Sequence, residues 1–301
     1  MRVGATLCTM HLPQLRTLDL DGPTAVREWP GEGPTIVLLH GLGASHLSWV
    51  QTAEPLSGLG RVVAIDLPGF GDSPSAGRGA GLMDQRRTVS KLIASIGGPV
   101  VLVGSSMGGA LGIVQAAVEP GTVRGLVLSN SVFPWRPGRQ PNPLVLAAFA
   151  TYATPGLGER FVSWRLHQME PEQLVRLGLA VLAADATSIP EDVVALLVEQ
   201  TRRRRDDPET VRAFLGAARS LVRLGRKPAV ARRALDNVTC PVLVLHGRRD
   251  RFVPAAFAEA ELALHPTWRG RFFSDLGHIA HMEAPGRWVS EVADWSAASI
   301  R

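Results

Sequence analysis

The chain has 301 residues, of which 46% are hydrophobic and 20% are charged, and its formal net charge is +5. This composition excludes a disordered chain, and the length suits one large domain with an insertion or two ordinary domains. The basic residues are scattered apart from one run, which argues against nucleic-acid binding, and no apolar run reaches the roughly 18 residues that a membrane helix needs.

The N-terminal part and the cysteines indicate where the protein works. The first stretch is interrupted by His11, Pro13 and Arg16, so it makes a poor signal peptide. Cys8 and Cys240 are too few for a disulfide framework and lie in no metal-ligand spacing, so we interpret each as a free thiol. These features predict a cytoplasmic protein without a structural metal.

Short aliphatic runs alternate with helical stretches along the chain, which predicts an α/β fold with a mostly parallel central sheet and helices on both faces. The predicted strands, in chain order, are a weak hairpin at 15–19 and 25–28, then 36–39, 62–65, 100–103, 123–128, 242–245 and 271–273. The predicted core helices cover residues 83–96, 110–118, 255–264 and 288–298.

One long segment, from about residue 133 to residue 237, contains no convincing strand. It opens on the proline-rich passage PWRPGRQPNP and continues with helical stretches such as 190–201 and 210–224. We therefore predict a core in two parts, residues 1–132 and 238–301, with a helical insertion over 133–237.

The run RRRRDD at 202–207 lies in this insertion, and Pro208 follows it. We interpret it as a solvated helix end, because basic side chains favour a helix C-terminus and proline stops a helix. A contact between Arg202–Arg205 and an anionic surface or an acidic substrate is the alternative.

The stretch GSSMG at 104–108 follows a predicted strand and precedes a predicted helix. It fits the pattern G-x-S-x-G with Ser106 at its centre, where small flanking residues allow a strained turn that lifts the hydroxyl above the sheet. Ser105 is the alternative nucleophile, but Val103 and Met107 stand where such a turn would need glycine. The pattern favours Ser106 and directs the backbone N–H of Met107 towards a developing oxyanion.

A serine nucleophile needs a base that is oriented by an acid. Asp250 and His278 each follow the end of a predicted strand, which is where open α/β sheets place their sites. His281 lies in the same loop as His278 and is a second candidate base that the spacing alone does not exclude. Asp275 lies too close to His278 along the chain to supply the acid from a separate loop.

The predicted strand at 36–39 ends in the sequence HGLG at 40–43. Its glycines let the backbone approach the nucleophile, so that the amide of Leu42 can pair with that of Met107 as an oxyanion hole. We interpret His40, beside this loop, and His246, at the end of a strand, as structural hydrogen-bonding residues.

Five motifs occur in a recognisable order: HGLG at 40–43, DLPGFGDS at 66–73, GSSMGG at 104–109, GRRDRFVP at 247–254 and GHIAHMEAP at 277–285. In these motifs the chain resembles the α/β-hydrolase-fold serine hydrolases over residues 25–298. The resemblance implies that fold, with the insertion as its cap, and a triad of Ser106, Asp250 and His278. It selects His278 over His281, because the family places the base directly after the glycine. It implies no metal or organic cofactor, and DLPGFGDS becomes a connector that supports the site.

The activity that the resemblance implies is hydrolysis of a small-molecule carboxylic ester, or of another carbonyl compound, through an acyl-enzyme. One alternative is a carbon–carbon bond hydrolase of diketone-like ring-cleavage products, although Ile279 stands where many such enzymes have tryptophan. Another is a non-catalytic member that only binds a ligand. Ser106 argues against the relatives with an aspartate nucleophile, the haloalkane dehalogenases and epoxide hydrolases. Phe149, Tyr152 and Trp164 are candidates for an apolar pocket lining.

Overall fold

The structure is a computed structural model that describes residues 12–134 and 142–300. Cys8 and most of the proline-rich passage lie outside these residues. Within them the chain forms one eight-stranded sheet. Its strands are β1 (Leu15–Asp19), β2 (Pro23–Trp29), β3 (Ile36–Leu39), β4 (Val62–Ile65), β5 (Val100–Ser105), β6 (Val123–Ser129), β7 (Val242–Gly247) and β8 (Arg269–Phe273).

The order of the strands across the sheet is β1-β2-β4-β3-β5-β6-β7-β8. β1 and β2 form the predicted antiparallel hairpin, β2 pairs antiparallel with β4, and all pairs from β4 to β8 are parallel. The predicted α/β architecture with a mostly parallel sheet is therefore confirmed, and β5 lies near the middle of the sheet.

The helices follow the predicted alternation. They are α1 (Val50–Leu56), α2 (Leu82–Ile96), α3 (Met107–Val118), α4 (Pro143–Ala153), α5 (Leu157–Gln168), α6 (Pro171–Leu182), α7 (Glu191–Arg204), α8 (Pro208–Gly225), α9 (Pro228–Asp236), α10 (Ala255–Leu264), α11 (Ala280–Glu283) and α12 (Pro285–Ser299). Short 3₁₀ turns occur at His46–Trp49, Pro120–Thr122 and Ala186–Ser188. None of these described helices combines the length and the apolar character needed to cross a lipid bilayer.

The start of α3 differs from the prediction. The helix begins at Met107 rather than at residue 110, so that it directly follows Ser106. Its first turn contains Gly108 and Gly109, and glycine has a low helix propensity that hides such a turn in the sequence.

Both faces of the sheet are buried, as the nearly uncharged strands predicted. Side chains alternate between the faces, so Leu102 of β5 packs in a cluster with residues of α2 and α3, whereas Val101 and Val103 pack in another with Trp49 and Trp288. The hydrophobic core therefore lies in two layers, one on each side of the sheet.

The residues that the structure describes between β6 and β7 form helices and no strand, as expected from the sequence. We call α4–α9 the helical segment. α4 and α5 pack on α8, and α6 packs on α7. The segment is joined to the sheet layers by a cluster in which Leu179 and Val193 pack with Leu47, Ile279 and Met282.

Candidate active site

Ser106 is the single residue between β5 and α3. Its backbone angles, φ 53° and ψ −113°, lie outside the regions that most residues adopt, at a typical cost of about 1–3 kcal/mol. The amide of Ser106 donates to the carbonyl oxygen of Ser129 at 3.0 Å, which ties the turn to the neighbouring strand β6. Ser105 is the last residue of β5 and is buried. The strained turn that the motif predicted is present at Ser106.

The glycines of the turn are required by contacts with backbone atoms. A Cβ atom at Gly104 would lie 2.3 Å from the carbonyl oxygen of Gly108, and one at Gly108 would lie 2.1 Å from that of Leu39. Both distances are far below van der Waals contact. A Cβ atom at Gly41 would lie 3.3 Å from the Cβ of Ser106, so the HGLG loop passes directly beside the serine.

The two predicted oxyanion amides lie in this region. Met107 is the first residue of α3, so its N–H has no acceptor within the helix. Leu42 follows β3, and its amide donates no hydrogen bond to any residue in the described part of the chain. Leu42 and Ser106 line the same cavity. An oxyanion hole formed by these two N–H groups stays a prediction from the sequence.

His278 and Asp250 form a buried pair. The imidazole Nδ1 of His278 lies 2.7 Å from Oδ2 of Asp250. An ionised carboxylate only accepts hydrogen bonds, so Nδ1 carries the proton and Nε2 is left as the basic nitrogen. His278 lines the cavity together with Ser106, and the Asp250 side chain is shielded from solvent.

The carboxylate of Asp250 has both oxygens engaged. Oδ1 accepts from the amides of Phe252 and Val253, each at 2.8 Å. Oδ2 accepts from His278 and also from Nδ2 of Asn130 at 2.9 Å. Burial raises the pKa of Asp250, but the charges and hydrogen bonds of the neighbouring histidines outweigh burial, so the pKa is lowered and the group stays ionised.

Asn130 was missed by the sequence reasoning. It directly follows β6, has a φ of 46°, and donates from Nδ2 to the carbonyl oxygen of Gly277 at 3.0 Å as well as to Asp250. One side chain therefore fixes both the acid and the loop that carries His278. A polar residue just past the carboxyl end of a central strand was the available signal.

Glu283 was missed as well, and it joins the histidine loop to the helical segment. Its Oε1 accepts from the amide of Gly277 and its Oε2 from that of Ala184, both at 2.8 Å, and burial raises its pKa. The amide of His278 donates to the carbonyl oxygen of Leu182 at 2.8 Å. A Cβ at Gly277 would lie 2.5 Å from the nitrogen of Ala184, so the close approach requires glycine.

Three other histidines near the site, His40, His246 and His281, are buried, and the first two have hydrogen-bond partners. Nε2 of His40 accepts from the amide of Leu67 at 3.0 Å, and Nε2 of His246 lies 2.8 Å from a backbone carbonyl, which agrees with structural roles. The His281 ring is buried and lies 4.3 Å from the Trp49 ring, centroid to centroid. Burial, with the charge of His278 nearby, lowers the pKa of His281 to about 3, so this ring is neutral.

The connector DLPGFGDS supports the HGLG side of the site. Asp66 accepts from the backbone N–H and Nδ1 of His46, at 2.6 and 2.8 Å, and from the amide of Asp72 at 2.7 Å. Burial by itself would raise the pKa of Asp66, but the hydrogen bond and the charge of His46 outweigh burial, so the pKa is lowered. His46, Asp66 and Asp72 lie close enough to hold a metal ion, yet the Asp66 oxygens already have these partners. Asp275 forms an exposed ion pair with Arg287.

A cavity of about 1190 Å³ extends from Ser106 and His278 along the helical segment, and its lining is largely apolar. Phe149 and Tyr152 belong to this lining, as suggested by the sequence. Trp164 does not, because its side chain is turned outward and is 58% exposed.

The arginine run does not behave as one solvated helix end. Arg202 is exposed, as predicted, and it forms an ion pair with Glu199. Arg204 is not solvated, because its Nη1 and Nη2 donate to the carbonyl oxygens of Gly71 and Gly69 at 2.8 and 2.9 Å. Arg204 and Arg205 line the cavity, so this half of the prediction was wrong.

The chain is similar to known proteins in sequence and in structure. A model described as the alpha/beta hydrolase family matches residues 36–292. A 2-hydroxy-6-oxononadienedioate/2-hydroxy-6-oxononatrienedioate hydrolase of Cupriavidus pinatubonensis is 28% identical over 87% of this chain and 86% of its own. A pimeloyl-(acyl-carrier protein) methyl ester esterase of Vibrio campbellii is 28% identical over 89% of this chain and 96% of its own. The solved thermophilic esterase of Thermogutta terrifontis has a TM-score of 0.71 at 23% identity, covering 96% of this chain and 100% of that one.

Proposed function

The chain belongs to the alpha/beta hydrolase family, and from that membership we propose that it is a serine hydrolase that cleaves carboxylic esters through Ser106, His278 and Asp250. The observation that carries this proposal is the His278–Asp250 hydrogen bond of 2.7 Å, which leaves the basic Nε2 of His278 on the wall of the cavity that Ser106 also lines. The helical segment closes the other side of this cavity and serves as a cap.

The proposed reaction has two steps. Nε2 of His278 takes the proton of Ser106 as Oγ attacks the ester carbonyl, and the resulting oxyanion accepts hydrogen bonds from the amides of Leu42 and Met107. The protonated His278 then gives its proton to the leaving alcohol, and an acyl-enzyme remains. Water, deprotonated by His278, releases the acid in the same way. Asp250 stabilises the imidazolium in both steps.

A carbon–carbon bond hydrolase is the second candidate, because one relative is named as a hydrolase of an oxononadienedioate and another as a methyl ester esterase at the same 28% identity. Both reactions begin at a carbonyl group. Ile279, directly after His278, lines the cavity at the position where many carbon–carbon bond hydrolases have tryptophan, and this difference favours the ester reaction. A cytoplasmic location stays a prediction from the sequence.

A fluorophosphonate probe tests the nucleophile. We expect covalent labelling of the wild-type protein and of Ser105→Ala, and none of Ser106→Ala, as measured by intact-mass spectrometry. Labelling that survives Ser106→Ala but is lost in Ser105→Ala would contradict the assignment. An unlabelled wild-type protein would favour the non-catalytic member that only binds a ligand.

A substrate panel tests the reaction. We expect turnover of short p-nitrophenyl esters that is lost in His278→Ala and retained in part in His281→Phe, which keeps a ring against Trp49. If kcat/KM for vinylogous diketones far exceeds that for every ester, the carbon–carbon bond reaction replaces ester hydrolysis. Catalysis that depends on His281 and not on His278 would overturn the choice of base.

A further inference from the structure

The described residues that line the cavity include cations but no acid. Its lining includes four arginines, and no aspartate or glutamate of residues 12–134 and 142–300 takes part in it. The arginines are Arg165, Arg204, Arg205 and Arg226. A guanidinium on a largely apolar wall loses hydration, so such a position is costly unless a partner is supplied.

Two of these arginines are accounted for. Arg204 is engaged by the carbonyl oxygens of Gly69 and Gly71 and lies 3.4 Å from the carboxylate of Asp207. Arg226 follows the end of α8 and is exposed to solvent. Arg165 and Arg205 are the two cavity-lining arginines that have no carboxylate partner among the described residues and are only partly exposed to solvent.

Arg165 lies in the last turn of α5 and is half-buried. Its Nε is buried and has no hydrogen-bond partner among the described residues, and none of their carboxylates lies within 4.0 Å of its guanidinium. Arg205 follows α7, and its Nη2 donates to the carbonyl oxygen of His167, two residues beyond Arg165, at 3.0 Å. Both side chains therefore belong to one corner of the cavity, at the C-terminal end of α5.

The adjacent acid does not neutralise this corner. Asp206 is 82% exposed, lies 3.6 Å from the imidazole of His167, and is not part of the cavity lining. Arg165 and Arg205 thus line the cavity, whereas Asp206, the acid next to Arg205 in the sequence, faces solvent.

We propose that Arg165 and Arg205 form a subsite for an anionic group of the substrate, a carboxylate or phosphate, remote from the bond that is cleaved. Planar guanidinium groups bind such oxyanions through paired, charge-assisted hydrogen bonds. Ser106 belongs to the sheet and the arginine pair to the helical segment, so a substrate that reaches both has an apolar chain with a carbonyl group at one end and the anion at the other. This inference rests on the proposed function, because the same cavity serves both.

The test uses two p-nitrophenyl esters with six-carbon acyl chains, the neutral hexanoate and the adipate monoester, which differ in one terminal carboxylate. We expect the wild-type enzyme to prefer the adipate monoester. Arg165→Met should lower kcat/KM for that ester by about 10–100-fold, mostly through KM, since a hydrogen bond to a charged group contributes about 1.5–3 kcal/mol. Arg205→Met, which removes a cation already bonded to His167, should act in the same direction and less strongly.

Hydrolysis of the neutral hexanoate is the internal control for folding and should change less than about threefold in both variants. Arg160→Met removes an exposed arginine of the same helix α5 that does not line the cavity, and it should leave both esters unaffected. Equal losses on both esters, or no loss on the adipate monoester, would overturn the subsite. If neither ester is hydrolysed and no probe labels Ser106, the failure lies with the proposed function instead.

Competitive inhibition of hexanoate ester hydrolysis distinguishes the two anion sources. Hexanoate and hexyl phosphate should inhibit wild-type enzyme more strongly than hexanol, and the stronger of the two identifies the preferred anion. Their advantage over hexanol should disappear in Arg165→Met. Hexanol inhibiting as strongly as both anions would count against the subsite.

Discussion

One side of the cavity is formed by the carboxyl ends of the strands and the residues that follow them, which we call the sheet edge. The other side is formed by the helical segment, and the two sides differ in what holds their residues in place. At the sheet edge, Ser106 has a strained backbone, and both carboxylate oxygens of Asp250 accept hydrogen bonds. A Cβ atom at Gly108 would collide with the carbonyl oxygen of Leu39. In the helical segment, Gly178 has open space around it, and Leu144 is 79% exposed.

This difference separates two tasks. The groups that we propose to react are held by backbone geometry and buried hydrogen bonds, which leave little freedom to vary. The helical segment presents apolar surface together with Arg165 and Arg205, which in our proposal select the substrate without needing exact placement. Changes at the sheet edge should therefore abolish activity or folding, and changes in the helical segment should alter the substrates that are accepted.

The largest expected effect is that of Asp250→Asn. Both carboxylate oxygens accept hydrogen bonds from N–H groups, so the amide nitrogen of an asparagine would face N–H donors whichever way the side chain is turned. We expect kcat for p-nitrophenyl esters to fall by about 10³–10⁴-fold with little change in KM. Steady-state kinetics measure this. Asp275→Asn, in the exposed ion pair with Arg287, is the matched control and should keep near wild-type activity; a similar loss there would break the comparison.

Next comes a pair of glycine substitutions, one on each side of the cavity. Gly108→Ala places a Cβ 2.1 Å from the oxygen of Leu39, so it should lower the free energy of unfolding by about 3 kcal/mol or more. Gly178→Ala, in α6 with nothing within 4 Å, should raise it by up to about 1 kcal/mol, because alanine favours a helix. Urea denaturation measures both. If Gly108→Ala is as stable as wild type, the sheet edge is less constrained than its contacts indicate.

A pH-dependent contribution to stability should come from His281. Its pKa is lowered to about 3 in the folded protein, whereas an unfolded histidine titrates near pH 6.5. Between these values the unfolded chain binds a proton that the folded chain does not. The free energy of unfolding is therefore unaffected by His281 above about pH 6.5. Below that value it falls by about 1.4 kcal/mol for each unit by which the pH is lowered.

His281→Phe should remove this slope while keeping a ring against Trp49. Free energies of unfolding at pH 6.5 and pH 4.5, for wild type and variant, measure the difference. The same slope in both proteins would mean that His281 is not the group responsible.

The smallest expected effect lies where the two regions meet. Glu283 accepts from Gly277 at the sheet edge and from Ala184 in the helical segment, and Glu283→Gln turns an amide nitrogen towards one of these donors. Because Gly277 precedes His278, we expect kcat to fall about tenfold with KM nearly unchanged. Glu172→Gln, an exposed acid of α6, is the control. A change in KM alone would place the effect of Glu283 in substrate binding rather than in the position of His278.

Much of the fold followed from local patterns. Nearly uncharged aliphatic runs predicted β3 to β7, because a strand that is buried on both faces has few polar residues. Boundaries were less accurate where glycine or arginine obscured them. α3 begins earlier than predicted because of Gly108 and Gly109, and α7 continues through Arg204, whose side chain bonds to the connector instead of marking a solvated end.

The sequence by itself predicted the candidate catalytic residues. The glycines around Ser106 and the positions of Asp250 and His278 after strand ends were readable because sterics and strand direction act locally. Tertiary structure alone decided that Asn130 holds Asp250, that Glu283 bridges two regions, and that Arg165 and Arg205 face the cavity while Trp164 does not. The contact of Asn130 depends on the pairing of β6 with β7, which lie far apart in the sequence. The others depend on how helices pack, and hydrophobic packing is non-directional, so one sequence does not specify which side chains it brings together.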